Sequence, residues 1–381
     1  MNKNQYRKLG DYIAPAMEKN VGLKIHLSQG ICNNKYFQTP RQVAQDSEND
    51  QIVRRGQFAF NKATTRNGEK ISIAYRDGED CTVSSAYQVF YIKDEEQLNP
   101  YYLMMWFKRP EFDRYARFKS HGSAHEFFTY EEMCNVLLPV PSIEEQRRIV
   151  AEYQTVERRI QNNEQLIKKL EETAQAIYHH TFVEGIDEEN LPKGWRKDIL
   201  SSLGQTITGS TPSSDSPEDF GNQIMFLTPV DFHEYTKYIL STERCLSELG
   251  YNKLKNRSIP PYSVIVTCIG SDMGKVGINT SVCISNQQIN SIIPFKYFYT
   301  DYLYYCLNSK QELLKAYASG SSTMPLLNKS QFQNIEIVIP KEDILIKFSE
   351  SISKINNYMQ ILAKESNHLK SLLSLLTSKL S

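Results

Sequence analysis

The stretch "NVLLPVPSIEEQRRIV" occupies residues 135–150, and "NIEIVIPKEDILIKFS" occupies residues 334–349. In each, a short aliphatic run stops at a proline, Pro141 or Pro340, and the residues beyond it are helix formers. Runs rich in Val, Ile and Leu read as strands, and proline cannot continue one, so each stretch marks a strand handing over to a helix. The offset is 199 positions, so one chain makes the same transition twice.

The segments beyond the two prolines repeat as well. From Ile143 to Phe182 the chain contains neither Gly nor Pro. Apolar or small residues recur at alternating spacings of four and three: Ile149, Tyr153, Val156, Ile160, Asn163, Ile167, Leu170, Ala174, Ile177 and Thr181. That is the seam of a coiled coil. Ser142 and Glu145 have capping-box spacing, which starts the helix just after Pro141. The same register 199 positions on gives Phe348, Ile352, Ile355, Met359, Leu362, Ser366, Leu369, Leu373, Leu376 and Leu380. Asn163 stands where the second seam has Leu362, and Ser366 where the first has Ile167; single polar seam positions fix register. The simplest partner for each seam is the other. The expectation is a helix over 143–182 packed antiparallel against one over 343–380, each roughly 55–60 Å long at about 1.5 Å per residue, with a module at each end.

The segments ahead of the helices correspond too. "TVSSAYQVFYI" (82–92) parallels "CISNQQINSII" (283–293), and helix signals at "NPYYLMMWF" and "TDYLYYCLN" come after them. Asn99 is placed to cap the first of these helices with Pro100 at its first position. The reading is α+β: two domains of mixed α/β structure in tandem repeat, separated by two long helices packed as an antiparallel coiled coil. The boundaries are 1–142, 143–184, 185–340 and 341–381.

Composition narrows the function. The seven cysteines are scattered and never in a C-x-x-C pair, which argues against a disulfide framework or a zinc site. No apolar run is long enough to span a bilayer and the start has no signal-peptide core, so a cytoplasmic protein without a membrane partner is expected. Formal net charge is zero; residues 1–142 hold 19 basic and 17 acidic side chains, residues 185–340 hold 13 and 15. Any anion-binding surface must come from local placement, and tight DNA binding by the isolated chain is not expected.

Catalytic motifs do not assemble. "GSDMGKVG" (270–277) has one residue too few for a phosphate loop, and Val276 stands where Ser or Thr must hold magnesium. It reads as a turn facing some other anion, such as a DNA phosphate. "NPYY" (99–102) lacks the second proline of an amino-methyltransferase loop. His121 and His125 lie in a glycine-bearing loop with no third ligand, and His179 and His180 sit on the helix tail. Neither a catalytic nor a metal site is assigned. What remains are polar loops whose side chains are of the kinds that read base edges and phosphates. In copy one these are Lys62, Thr64, Thr65, Arg66 and Asn67, then Lys119, Ser120, His121 and Ser123. In copy two they are Ser210, Thr211 and Ser213, then Ser271 and Lys275, Asn286 and Gln287, and Ser321, Ser322 and Thr323. Copy one has no counterpart to "TGSTPSS" (208–214).

Taken in order, "LPKGWRKDILSSLGQTITGSTPS" (191–213), "YSVIVTCIGSDMGKVGI" (262–278), "SGSSTMPLLNKSQFQNIEIVIP" (319–340) and "LLPVPSIEEQRRIV" (137–150) resemble the specificity subunit of type I restriction-modification systems. The resemblance covers essentially the full chain, duplication included. It implies a non-catalytic protein with two target-recognition domains, each reading one half of a bipartite double-stranded DNA site in the major groove. The helices would set the gap and dock two methyltransferase subunits, with restriction (motor) subunits joining them. S-adenosylmethionine and ATP would then belong to those partners, and no cofactor to this chain. Two other readings stay open here: a coiled-coil scaffold with protein-binding heads, and a stand-alone methyltransferase or nuclease.

Overall fold

The computed structural model describes residues 6–40, 47–63, 70–120, 126–213, 215–232, 237–269, 273–318 and 327–380. The chain divides into two compact units, Met1–Arg158 with Leu369–Ser381, and Arg159–His368.

In the first unit an antiparallel sheet has the strand order Ile13–Ala16, Tyr87–Ile92, Gln57–Asn61, Ile73–Tyr75. "QFAFN" alternates large and small, and both faces are buried: Phe58 and Phe60 point one way, Ala59 the other. The phenylalanine face stacks Phe58 on Phe90 and meets the helices Pro100–Phe107 and Pro110–Lys119 through Phe107 and Phe112. Ala59, Ala74 and Val89 pack on a small ribbon, Gln51–Val53 with Cys81–Val83. The Asn99 side chain accepts hydrogen bonds from the amides of Tyr101 and Tyr102, with Pro100 opening the helix.

The second unit repeats this plan. Its sheet runs Gly204–Thr208, Ile289–Pro294, Val264–Thr267, Val276–Asn279, all antiparallel, with Tyr238–Ile239 added in parallel at one edge. The helices Tyr299–Ser309 and Gln311–Ala318 come next, in the same order as their counterparts. On the opposite side, a four-stranded sheet replaces the two-stranded ribbon. The openings match as well: Tyr6–Lys8 pairs with Leu137–Pro139, and Arg196–Ile199 with Glu336–Ile339, so each unit ties its first strand to the one that ends at Pro141 or Pro340.

The long helices span Ile143–Phe182 and Glu342–Ser378. Ser142 Oγ accepts from the Glu145 amide at 3.3 Å. Within the second unit, residues 159–182 and 342–368 run antiparallel. Phe348 packs on Tyr178 and Phe182, while Arg159 Nε and Nη2 hold Glu365 at 3.0 and 3.1 Å. Within the first, Val150 and Tyr153 share a core with Leu380, and Ile149 and Leu373 pack against it. Of the seam positions, Tyr153, Ile160, Asn163, Ile167, Ala174, Phe348, Ile352, Met359, Leu362, Ser366 and Leu380 are buried. Ile149, Val156, Leu170, Ile177, Thr181, Ile355, Leu369, Leu373 and Leu376 are half-buried. The buried stripe is wider than a two-per-heptad seam: Gln146, Val150, Tyr178, Phe182, Leu345 and Asn356 join it, because each stretch of helix also packs on the body of the unit it belongs to, Val150 in the first and Tyr178, Phe182 and Leu345 in the second. Gln146 shows how. Its Oε1 accepts from the Asn99 amide at 2.8 Å and its Nε2 donates to the carbonyls of Gln97 and Pro141. Among the described residues no helix is long and apolar enough to cross a membrane.

Candidate nucleic-acid interface

The strand register decides which loops meet. In the second unit Thr208 faces Asn290, Thr267 faces Ile289 and Val266 faces Val276, so the ends of all four strands fall on one side of the sheet. The residues they lead into, after Thr208, at 268–269 and 273–275, and at 286–288, therefore converge. Gly209 lets the first approach the third: a Cβ there would lie 2.1 Å from the Ser285 carbonyl oxygen. Ser210 donates its amide to that oxygen at 2.8 Å, and the Thr211 hydroxyl donates to Gln287 Oε1 at 2.5 Å. Asn286 Oδ1 accepts from the Gln288 amide at 3.1 Å, and the Asn290 amide group donates to the Leu327 carbonyl at 2.9 Å. Leu327 in turn donates its amide to the Cys268 carbonyl at 3.0 Å, which places Leu327 at the same edge. Ser213 Oγ accepts from the Asp215 amide at 3.3 Å. Between Thr267 and Val276 the chain closes a hairpin at Gly274 (φ +86°), and Lys275 leads into a strand, where a phosphate loop would lead into a helix.

The first unit builds the equivalent edge from different residues. Phe128 donates its amide to Lys62 at 2.9 Å, the counterpart of Leu327 to Cys268. A cleft of about 430 Å³ opens there, lined by Met17, Lys19, Asn49, Gln51, Lys62, Ser85 and Gln88. Lys62 has no side-chain hydrogen bond among the described residues, while Gln51 Nε2 donates to the Tyr87 carbonyl at 2.8 Å. Met17 is 82% exposed. Two lysines, two glutamines, an asparagine, a serine and an exposed methionine supply point charge, hydrogen-bond donors and acceptors, and apolar contact in one concavity.

Of the loop residues proposed from sequence, Lys62, Ser210, Thr211, Lys275, Asn286 and Gln287 lie at these two edges, with Ser213 close by. Lys119 and Ser120 have local duties: Lys119 Nζ is 3.8 Å from Glu132, and Ser120 Oγ closes its helix on the Ala116 carbonyl at 2.7 Å. Thr64, Thr65, Arg66, Asn67, His121, Ser123, Ser271, Ser321, Ser322 and Thr323 lie outside the described residues, as does His125. Sequence reasoning missed Met17, Lys19, Asn49, Gln51, Ser85 and Gln88. Ser85 was within reach, since "SSAYQ" (84–88) aligns with the "SNQQ" singled out in the other copy.

Burial pushes the thiols of Cys268 and Cys283 up to about 12 and that of Cys81 to about 11, so all three stay protonated near neutrality. Among the described residues no three His, Cys, Asp or Glu side chains are placed to hold a metal ion.

Comparison with known proteins gives this architecture a lineage. The family model described as "Type I restriction modification DNA specificity domain" matches twice, over residues 5–172 and 192–371. The HindI specificity subunit of a type I restriction enzyme from Haemophilus influenzae is 36% identical over 167 residues, 43% of this chain and 36% of that protein. The MjaIX specificity subunit from Methanocaldococcus jannaschii is 29% identical over 187 residues, 48% of this chain and 43% of that protein. The match thus spans less than half the length of either. The crystal structure of a type I restriction-modification S subunit from M. genitalium aligns over 100% of this chain and 97% of its own, with 12% identity and a TM-score of 0.58, a likeness of fold.

Proposed function

The chain belongs to the family of type I restriction modification DNA specificity proteins, and from that premise we propose that its two recognition domains read the two halves of a bipartite double-stranded DNA site. As a member of that family it is a specificity component, not the catalyst. The recognition domains are 1–142 and 185–340. The helical segments 143–184 and 341–381 set the gap between half-sites and dock two methyltransferase subunits, to which restriction subunits add. S-adenosylmethionine and ATP act in those partners. The observation that carries this reading is the duplicated sheet edge: two equivalent sheets, each gathering polar side chains from loops distant in sequence at the same strand ends. Polar side chains held on a rigid sheet are the means by which base edges are told apart. The formal net charge of zero fits a chain whose partners supply much of the phosphate contact.

The test is to co-express the chain with its methyltransferase subunit and map adenine methylation across the host genome. A split motif with a fixed gap, lost when this chain is omitted, is the expected result. A continuous motif would mean that only one domain reads DNA. An active methyltransferase complex whose methylation pattern ignores this chain would overturn the proposal.

A further inference from the structure

Arg257 ends the short helical turn Lys255–Arg257 and reaches the reading edge of the second unit. Its backbone is fixed from both sides. Leu254, packed against the cluster of Phe226, Leu246 and Ile284, accepts the Arg257 amide at 2.8 Å, and Ile259 exchanges both backbone hydrogen bonds with Cys283. The half-buried side chain meets the end of the edge strand, where Nη1 donates to the Thr208 carbonyl at 2.8 Å. Thr208 comes directly before Gly209 and Ser210, the two residues that close on Ser285.

The hydrogen bonds at this edge decide which atoms are left to face a ligand. A guanidinium carries five N–H donors in a planar fork and accepts nothing. One donor of Arg257 serves the neutral Thr208 carbonyl, and among the described residues no carboxylate pairs with it. Lys253, on the same turn of chain, has its acid in Asp219 at 2.7 Å. The polar side chains of the edge sort in the same direction. The Thr211 hydroxyl donates to Gln287 Oε1 at 2.5 Å, so the exposed Gln287 carboxamide has its oxygen engaged and its N–H groups left to donate. Asn286 and Gln288 satisfy each other, Nδ2 to Oε1 at 3.2 Å and Gln288 amide to Oδ1 at 3.1 Å. What the edge offers is donors, from the rest of the Arg257 fork and from Gln287.

In the major groove guanine sets two acceptors, N7 and O6, side by side; adenine follows its N7 with a donor, and cytosine offers a donor alone. Two parallel N–H bonds from one planar group match the guanine edge, whereas the adenine amino group needs an acceptor that arginine lacks. A bidentate contact from Gln287 to adenine would use the carboxamide oxygen that Thr211 already engages. A phosphate also accepts a fork, but the bond to Thr208 holds this one among the side chains assigned to bases.

We propose that Arg257 reads a guanine in the second unit's half-site by a bidentate contact to N7 and O6, positioned by its bond to the Thr208 carbonyl, with Gln287 donating beside it. This rests on the assignment of that edge to DNA reading.

The test uses the full chain in complex with its methyltransferase subunit. Genome-wide methylation gives the wild-type motif. Affinity and methylation rate are then measured on duplexes altered one base pair at a time, for the wild type, Arg257→Ala and Arg257→Lys. The lysine variant keeps a charge and a donor for Thr208 but loses the fork, and it decides the matter if the alanine variant fails to fold. One half of the motif should hold a G·C pair at which the variants lose discrimination roughly tenfold or more, with the other half and the gap unchanged. An unchanged motif, with weaker binding to cognate and unrelated duplexes alike and a salt dependence flattened by about one counterion, would make Arg257 a backbone contact and overturn the proposal. A lower melting temperature with slower methylation at every site, the motif again unchanged, would reduce it to a structural tie and overturn the proposal as well. A wild-type motif without a G·C pair in either half overturns it before any variant is made. An active wild-type complex whose methylation pattern ignores this chain would instead sink the reading assignment itself.

Discussion

At the scale of single residues, the second unit buries more ionisable chemistry than recognition needs. Lys237, its side chain 1% exposed, donates to Asp301 at 2.8 Å and to Asn356 Oδ1 at 2.9 Å, and Tyr305 donates its hydroxyl to Glu171 at 3.2 Å. Glu171 thereby joins the first long helix to the body of its unit. Burial raises its pKa above the ordinary glutamate value, against the pull of Lys237. Between about 4.3, where an unfolded glutamate titrates, and that raised value, the folded chain holds a proton that the unfolded chain has released. Stability from this group is therefore greatest at low pH, falls as pH rises through the window and stays reduced above it. Glu171→Gln keeps the shape and removes the ionisation. Relative to wild type, the variant should match it near pH 4 and gain stability towards neutral pH, read from urea midpoints across that range. A difference that does not grow with pH would mean that Lys237 already offsets the buried charge. None of this was visible in sequence, where Glu171 occupies an unremarked helix position between Leu170 and Ala174.

At the scale of elements, the helices were the most legible feature and the loops the least. A heptad seam and a proline-terminated strand are local patterns, so the start of the first long helix at Ile143 could be read from spacing alone, whereas the antiparallel pairing was expected from the duplication, with the two copies related by a two-fold-like rotation. The added width at Val150, Tyr178 and Phe182 could not, because it depends on what those helices cover. Which loops meet is set by strand register across tens of residues; the Thr211–Gln287 hydrogen bond joins positions 76 apart. Sequence could nominate polar loops, but it had no means of showing that Ser120 closes its own helix or that Gln51 reaches the Tyr87 carbonyl. The seam yields a direct prediction. Ile160 is 6% exposed and Met359 1%, and replacing both by Asp places two unpaired carboxylates inside, at a cost of about 3 kcal/mol or more. Tyr358→Asp, at a 45% exposed neighbour, should stay within about 0.5 kcal/mol. Denaturant melts of the full chain separate the two; an Ile160→Asp/Met359→Asp chain with a wild-type midpoint would show that this seam does not hold the helices together.

At the scale of the whole molecule, charge misleads when it is only summed. Lys35, Lys70, Lys108, Arg114 and Arg117, spread over more than eighty positions, line one recess of about 490 Å³ in the first unit together with Asp113, and neither the whole-chain balance nor the first domain's near-parity signals that clustering. Duplication has the opposite property. It survives in the order of strands and helices even where the polar edge residues have diverged: Met17, Lys19 and Gln88 in one unit, Ser210, Thr211 and Gln287 in the other. A shared scaffold with different edge side chains is what two domains reading different half-sites require, and it makes their specificities separable. Lys62→Ala with Gln88→Ala should relax one half of the methylated motif, each lost base contact being worth about 1–3 kcal/mol, and leave the other half and the gap as they were. Genome-wide methylation mapping reads all three quantities in one experiment. If both halves relaxed together, the two edges would not be independent readers; if neither changed, the cleft between Met17 and Gln88 would lie off the bases, and recognition by the first domain would rest on loop 64–69 or on residues 121–125.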